Sequence, residues 1–80
     1  MNITGFDIFD EGGNFLPSDV YGSYLAFNCY KCGYPVIAAA LENHRGWDES
    51  HPAKCNGSNC NASYILDLRP KTNKLYVHSI

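Results

Sequence analysis

Residues 27–36 read FNCYKCGYPV and residues 55–60 read CNGSNC, and these two stretches hold all four cysteines of an 80-residue chain. The spacing is Cys29-x2-Cys32-x22-Cys55-x4-Cys60, two local pairs joined by a loop long enough to fold one against the other. Four thiolates fill a tetrahedral shell, and a short turn between two cysteines aims both sulfurs at one ion while nearby backbone N–H groups bind the thiolates. Such a turn needs a residue that accepts a left-handed backbone after the second cysteine. Gly33 supplies it in the first pair, and Asn61, from the next most tolerant residue type, comes directly after Cys60 in the second.

Other uses of four cysteines stay open at this point. Two disulfides need an oxidising compartment, and a thioredoxin-like Cys-x-x-Cys should open a helix after a strand. Iron bound in the rubredoxin manner takes the same four thiolates as zinc. His51 stands four residues before Cys55 and is the one histidine placed to substitute for a cysteine ligand.

Size argues for a staple of some kind. A chain of 80 residues buries too small a fraction of its surface for a generous hydrophobic core. The net charge of −2, with 18% charged residues, advertises neither a polyanion partner nor an acidic tail. The first residues, MNITGFDIFDEGG, contain no basic n-region and no apolar run of signal-peptide or membrane length, so an intracellular (cytoplasmic) chain with no membrane contact is expected. The triplets Asn2-Ile3-Thr4, Asn56-Gly57-Ser58 and Asn61-Ala62-Ser63 are formal glycosylation acceptors that matter only in a secreted protein.

Charge divides the chain. Residues 1–20 carry Asp7, Asp10, Glu11 and Asp19 with no base, whereas residues 51–80 carry Lys54, Arg69, Lys71 and Lys74 against Asp67 alone. Residues 1–22 read as an acidic N-terminal extension with room for an added strand pair, GFDIFD and the run beyond the EGGN turn. SYLAFNC suits a strand, and PVIAAALENHRG is ambiguous between a helix from Pro35 to Gly46 and a strand to about Ala40. The strand is preferred, leading into a loop through HRGWDESHPAK. ASYILDLR alternates Tyr64, Leu66 and Leu68 with Ser63, Ile65, Asp67 and Arg69, and with LYVHSI it reads as a hairpin whose tip is RPKTNK.

FNCYKCG, joined at a distance by a second cysteine pair and a hairpin, resembles the zinc ribbon family over residues 23–80. The resemblance implies a small mostly-β domain, with two knuckles clamping one structural zinc ion at the end of a three-stranded antiparallel sheet. It also implies Cys29, Cys32, Cys55 and Cys60 as ligands. The chain departs from the family in CNGSNC, which is two residues longer than the usual second knuckle and lacks its glycine. Some transcription-elongation ribbons carry an Asp-Glu pair at the hairpin tip for magnesium-dependent RNA cleavage. Here Asp48-Glu49 lies between the knuckles and the tip is basic, so that role does not carry over.

No Ser-His-Asp or Cys-His nucleophile assembles, and Gly12-Gly13 lacks the lysine and helix of a phosphate loop. A closed thiolate site leaves no open position for water, so no enzyme activity and no small-molecule substrate are expected. Arg69, Lys71 and Lys74 offer a small phosphate-contacting tip, with Tyr64 or Tyr76 as a stacking ring. Yet zinc held by four thiolates is formally −2 and would take the protein to about −4, which opposes nucleic-acid steering. The aromatic residues point to protein contact instead. Tyr30 and Tyr34 flank the first knuckle as cover for the metal end, while Trp47, Tyr21 and Tyr24 are the candidate partner contacts. The expectation is a protein or nucleoprotein partner for an adaptor or inhibitor. By analogy of size and architecture this includes the small inhibitors that mobile elements carry against host machinery.

Overall fold

The computed structural model describes residues 1–40 and 52–80. Among these residues lie seven strands, β1 (Asp7–Asp10), β2 (Ser18–Tyr21), β3 (Tyr24–Asn28), β4 (Pro35–Ala39), β5 (Ala53–Lys54), β6 (Ser63–Arg69) and β7 (Lys74–Ser79). They form a three-stranded antiparallel sheet, β2-β3-β4, and a four-stranded sheet, β1-β7-β6-β5. The chain is a small mostly-β domain, and among the described residues there is no α-helix. No helix among them is long and apolar enough to cross a membrane.

PVIAA resolves as strand β4, so the proline-first, alanine-rich segment does not open a helix. Val36 and Ala38 point into the core while Pro35, Ile37 and Ala39 face out, the period-2 alternation of a half-buried strand. The C-terminal hairpin forms as read, with Tyr64 paired to Ser79 and Arg69 to Lys74. Its tip is a 3-10 turn over Pro70–Thr72, closed by Asn73 in a left-handed conformation.

The acidic N-terminal segment supplies extra strands, though not as a simple pair. Across the EGGN turn β1 meets the chain beyond it only at a single antiparallel bridge, Phe9 to Phe15. Its full ladder is parallel to β7, from Asp7↔Lys74 to Asp10↔Val77. β2 joins the other sheet by pairing with β3. Ile3 is fully buried and donates its N–H to Gly22 O at 2.8 Å.

One hydrophobic core draws on both sheets. Leu25, Phe27, Val36 and Ala38 of the three-stranded sheet cluster with Ile8, Tyr64, Leu68, Leu75 and Val77 of the other. Alternation along β6 leads one to expect a single covered face. Instead Ile65 and Asp67, on the face opposite Tyr64 and Leu68, are buried as well.

Candidate metal centre

Each cysteine pair belongs to a different sheet. Cys29 and Cys32 lie in the turn from β3 to β4, and Cys55 and Cys60 in the turn from β5 to β6. All four sulfurs lie within 4.8 Å of one another. Two approaches cross between the turns, Cys29 Sγ to Cys60 Sγ at 3.7 Å and Cys32 Sγ to Cys55 Sγ at 3.5 Å. An ion with tetrahedral bonds of about 2.3 Å to sulfur separates its ligands by about 3.8 Å, whereas a disulfide brings two sulfurs to about 2.05 Å. The four cysteines are free thiols arranged at metal-ligand spacing. The redox reading fails on topology too, since Cys29-x-x-Cys32 leads into a strand where a thioredoxin-like motif opens a helix.

The first turn is built as the sequence suggests. Gly33 has φ +77° and donates to Cys29 O at 3.0 Å, while Cys29 N–H bonds Tyr34 O at 2.9 Å. Lys31 N–H approaches Cys29 Sγ at 3.4 Å.

The second turn reaches the same end by another route. Cys55 N–H bonds Ala62 O at 2.9 Å, and Gly57 N–H lies 3.4 Å from Cys55 Sγ. The left-handed residue is Asn59, at φ 59°, and not Asn61 as the spacing suggested. Two added residues let the turn reverse before Cys60, so the left-handed step precedes the cysteine. The missing glycine also has a counterpart. A Cβ at Gly57 would stand 3.0 Å from Cys32 Sγ and 3.1 Å from Tyr34 Cβ, so this position packs directly against the first turn.

Tyr64 reaches the cluster although spacing did not place it there. Its ring is fully buried, edge-on to Phe27 at 5.1 Å and to Tyr30 at 5.0 Å. The hydroxyl lies 3.1 Å from Cys29 Sγ and accepts Tyr30 N–H at 2.8 Å. That amide takes one acceptor position of the hydroxyl and leaves its proton free to point at the sulfur. Burial opposes ionisation of Cys29, but hydrogen bonds from Tyr64 and from the Cys32 and Lys31 amides outweigh it and lower the thiol to about 6. At Cys55 the Gly57 amide favours the thiolate, yet burial and the other three sulfurs together push the group up to about 12. Four sulfurs this close are mutually repulsive as thiolates without a cation between them, and a divalent ion removes that conflict.

The other candidate residues are not gathered at this site. Arg69 binds Asp67 with both ends of its guanidinium, Nη2 to Oδ2 at 2.7 Å and Nε to Oδ1 at 3.1 Å, and lies over the Tyr76 ring at 5.4 Å. Lys74 lies 5.9 Å over the Phe9 ring, which stacks on Tyr76. Lys71, in the 3-10 turn, faces solvent. Tyr64 is buried and cannot serve as a stacking ring for a base. Tyr30 covers the metal end, its hydroxyl donating to Val77 O at 3.0 Å. Tyr34 is half exposed, and Tyr21 and Tyr24 are exposed opposite one another at the end of the β2-β3 hairpin. Trp47, His51 and the Asp48-Glu49 pair lie outside the described residues.

These features define a small β domain with a four-cysteine metal-binding cluster. No family model, no curated protein and no solved structure matches the chain.

Proposed function

We propose that the protein is a zinc ribbon-like interaction module, in which one structural zinc ion bound by Cys29, Cys32, Cys55 and Cys60 holds a contact surface in shape. The observation that carries this reading is the sulfur cluster, with cross-turn separations of 3.5 and 3.7 Å contributed by both sheets. Zinc suits four thiolates and this geometry, and a filled shell leaves no position for a reacting water. The protein is therefore a non-enzymatic adaptor or inhibitor that works in the reducing interior of a cell on a larger protein or nucleoprotein assembly. The mobile-element inhibitor of host machinery is one form of it. Exposed Tyr21 and Tyr24 support the contact role, with Trp47 as a further anchor.

The rival, a nucleic-acid-binding ribbon, would use Arg69, Lys71 and Lys74. Arg69 and Lys74 are already engaged within the chain, which favours protein contact. A salt titration with generic DNA and RNA separates the two, run beside binding to the assembly by wild type, Trp47→Ala and the Lys71→Glu/Lys74→Glu double variant. The module reading predicts loss of protein association in Trp47→Ala and no effect of the double reversal. Nucleic-acid binding that falls steeply with salt and disappears on reversal would overturn it.

A further inference from the structure

The outward face of β2-β3-β4 carries three of the large hydrophobic residues exposed among the described residues, Tyr21, Tyr24 and Ile37. Its cross-strand rows are Tyr21, Tyr24 and Ala39, then Asp19, Ala26 and Ile37. Tyr21 is 63% exposed, Tyr24 54% and Ile37 70%, and Phe15 beside the lower rows is 73% exposed. With about 150–250 Å² per aromatic side chain, these four residues show on the order of 500 Å² of largely apolar surface. That is at the upper end of what a monomer ordinarily exposes and well over half of the roughly 800 Å² per partner of a stable interface. The alanines and Pro35 extend it.

We propose that a second copy of this chain covers this face, giving a two-fold dimer in which the two three-stranded sheets pack against each other. The inference rests on reading Tyr21 and Tyr24 as protein contacts; it gives them to a second copy of the chain and leaves Trp47 as the anchor for the larger assembly. The surface is self-complementary in relief, because large Tyr24 and Ile37 alternate with small Ala26 and Ala39 along β3 and β4. Sheets pack face to face by this kind of interdigitation.

Charge selects the axis. Asp19 is the one charged residue in these rows and sits on the edge strand β2, at the rim. A two-fold axis across the strands would lay β2 over β2 and bring the two Asp19 carboxylates toward each other. An axis parallel to the strands and lying between β3 and β4 lays β3 of one copy over β4 of the other, so that Tyr24 faces Ala39 and Ala26 faces Ile37, and carries β2 past the β4 edge. Exposed Lys54 flanks that far edge, lining one depression with Ile37. In the second arrangement each Asp19 meets Lys54 of the other copy at the rim, where charged groups belong in an interface, and Ile37 is buried near the centre.

Sedimentation equilibrium of the 80-residue zinc-loaded chain tests this, with zinc content and circular dichroism confirming that each variant is folded. Wild type should reach twice the 8.9 kDa chain mass as concentration rises. Ile37→Asp should stay monomeric, Asp19→Lys and Lys54→Asp should each weaken association at least about tenfold, and the double exchange should recover most of it. A folded wild type that is monomeric at every concentration overturns the proposal and leaves the face for a foreign protein, so the interaction reading survives. A dimer indifferent to Ile37→Asp places the interface elsewhere and equally overturns it. A dimer broken by Ile37→Asp but not recovered by the exchange contradicts the arrangement of β3 over β4 with Asp19 at Lys54.

Discussion

The two cysteine turns finish with the same bond and build it differently. In the first, Cys29 N–H reaches the carbonyl of Tyr34, five residues on; in the second, Cys55 N–H reaches that of Ala62, seven residues on. The longer turn absorbs its two extra residues through left-handed Asn59, whereas the shorter one reverses at left-handed Gly33. Their sulfurs also differ. Cys29 has a hydroxyl donor as well as amides, and Cys55 has the Gly57 amide and crowding by its neighbours. What a knuckle requires is therefore a closing backbone bond, an N–H aimed at sulfur and one left-handed step, and no fixed position for that step. In the first turn hydrogen bonds hold the Cys29 thiol down, and in the second the neighbouring sulfurs and burial hold the Cys55 thiol up.

That contrast predicts the largest of the graded effects, a strong pH dependence of metal affinity. Above about pH 6 Cys29 is already a thiolate, while Cys55, pushed up to about 12, keeps its proton until the metal displaces it. Uptake near neutral pH should release at least one proton, so apparent zinc affinity should fall at least about tenfold per pH unit between roughly pH 8 and 6. The fall should steepen below about pH 6 as Cys29 also protonates. Calorimetry in buffers of different ionisation enthalpy counts the protons, and an affinity flat across this range would erase the contrast.

Tyr64→Phe acts on the first turn alone. It removes the donor to Cys29 and strands the Tyr30 N–H, and loss of such an outer partner costs about 10–100-fold in metal affinity, read by chelator competition. Gly57→Ala attacks the second turn, forcing Cys32 or Tyr34 to shift from a Cβ at 3.0–3.1 Å. Thermal unfolding should register about 1–3 kcal/mol of overpacking. The smallest effects come from the left-handed residues themselves. Gly33→Ala should cost about 1–2 kcal/mol at φ +77°, whereas Asn59→Gly should stay within about 0.5 kcal/mol. Equal losses in the two variants would show that the turns do not carry their strain at these positions.

The cysteine spacing, Gly33, the β3 and β4 runs and the C-terminal hairpin were legible because each rests on local chemistry: turn residues, period-2 alternation and ligand count. The parallel pairing of β1 with β7 was not, since Asp7 and Lys74 are far apart in sequence and no local pattern names a parallel partner. Asn59 was passed over because the expectation transferred a short knuckle's register onto a longer one. Tyr64 was half visible. Alternation placed it on the buried face, and a buried hydroxyl needs a partner, but only the fold shows that its partners are Cys29 and Tyr30. At the basic tip the sequence shows charge but not engagement; Asp67 and two aromatic rings take up Arg69 and Lys74.

In the proposed reading one ion, bound by a cysteine pair from each sheet, holds the domain together. Structural zinc supplies on the order of 10 kcal/mol, comparable with the whole stability of a small domain. Native mass spectrometry of protein purified without added metal, with circular dichroism before and after a strong chelator, tests it directly. One zinc per chain and loss of the folded spectrum on chelation are the expected results. A metal-free chain four hydrogens lighter than the reduced mass, or a fold unchanged by the chelator, would contradict it.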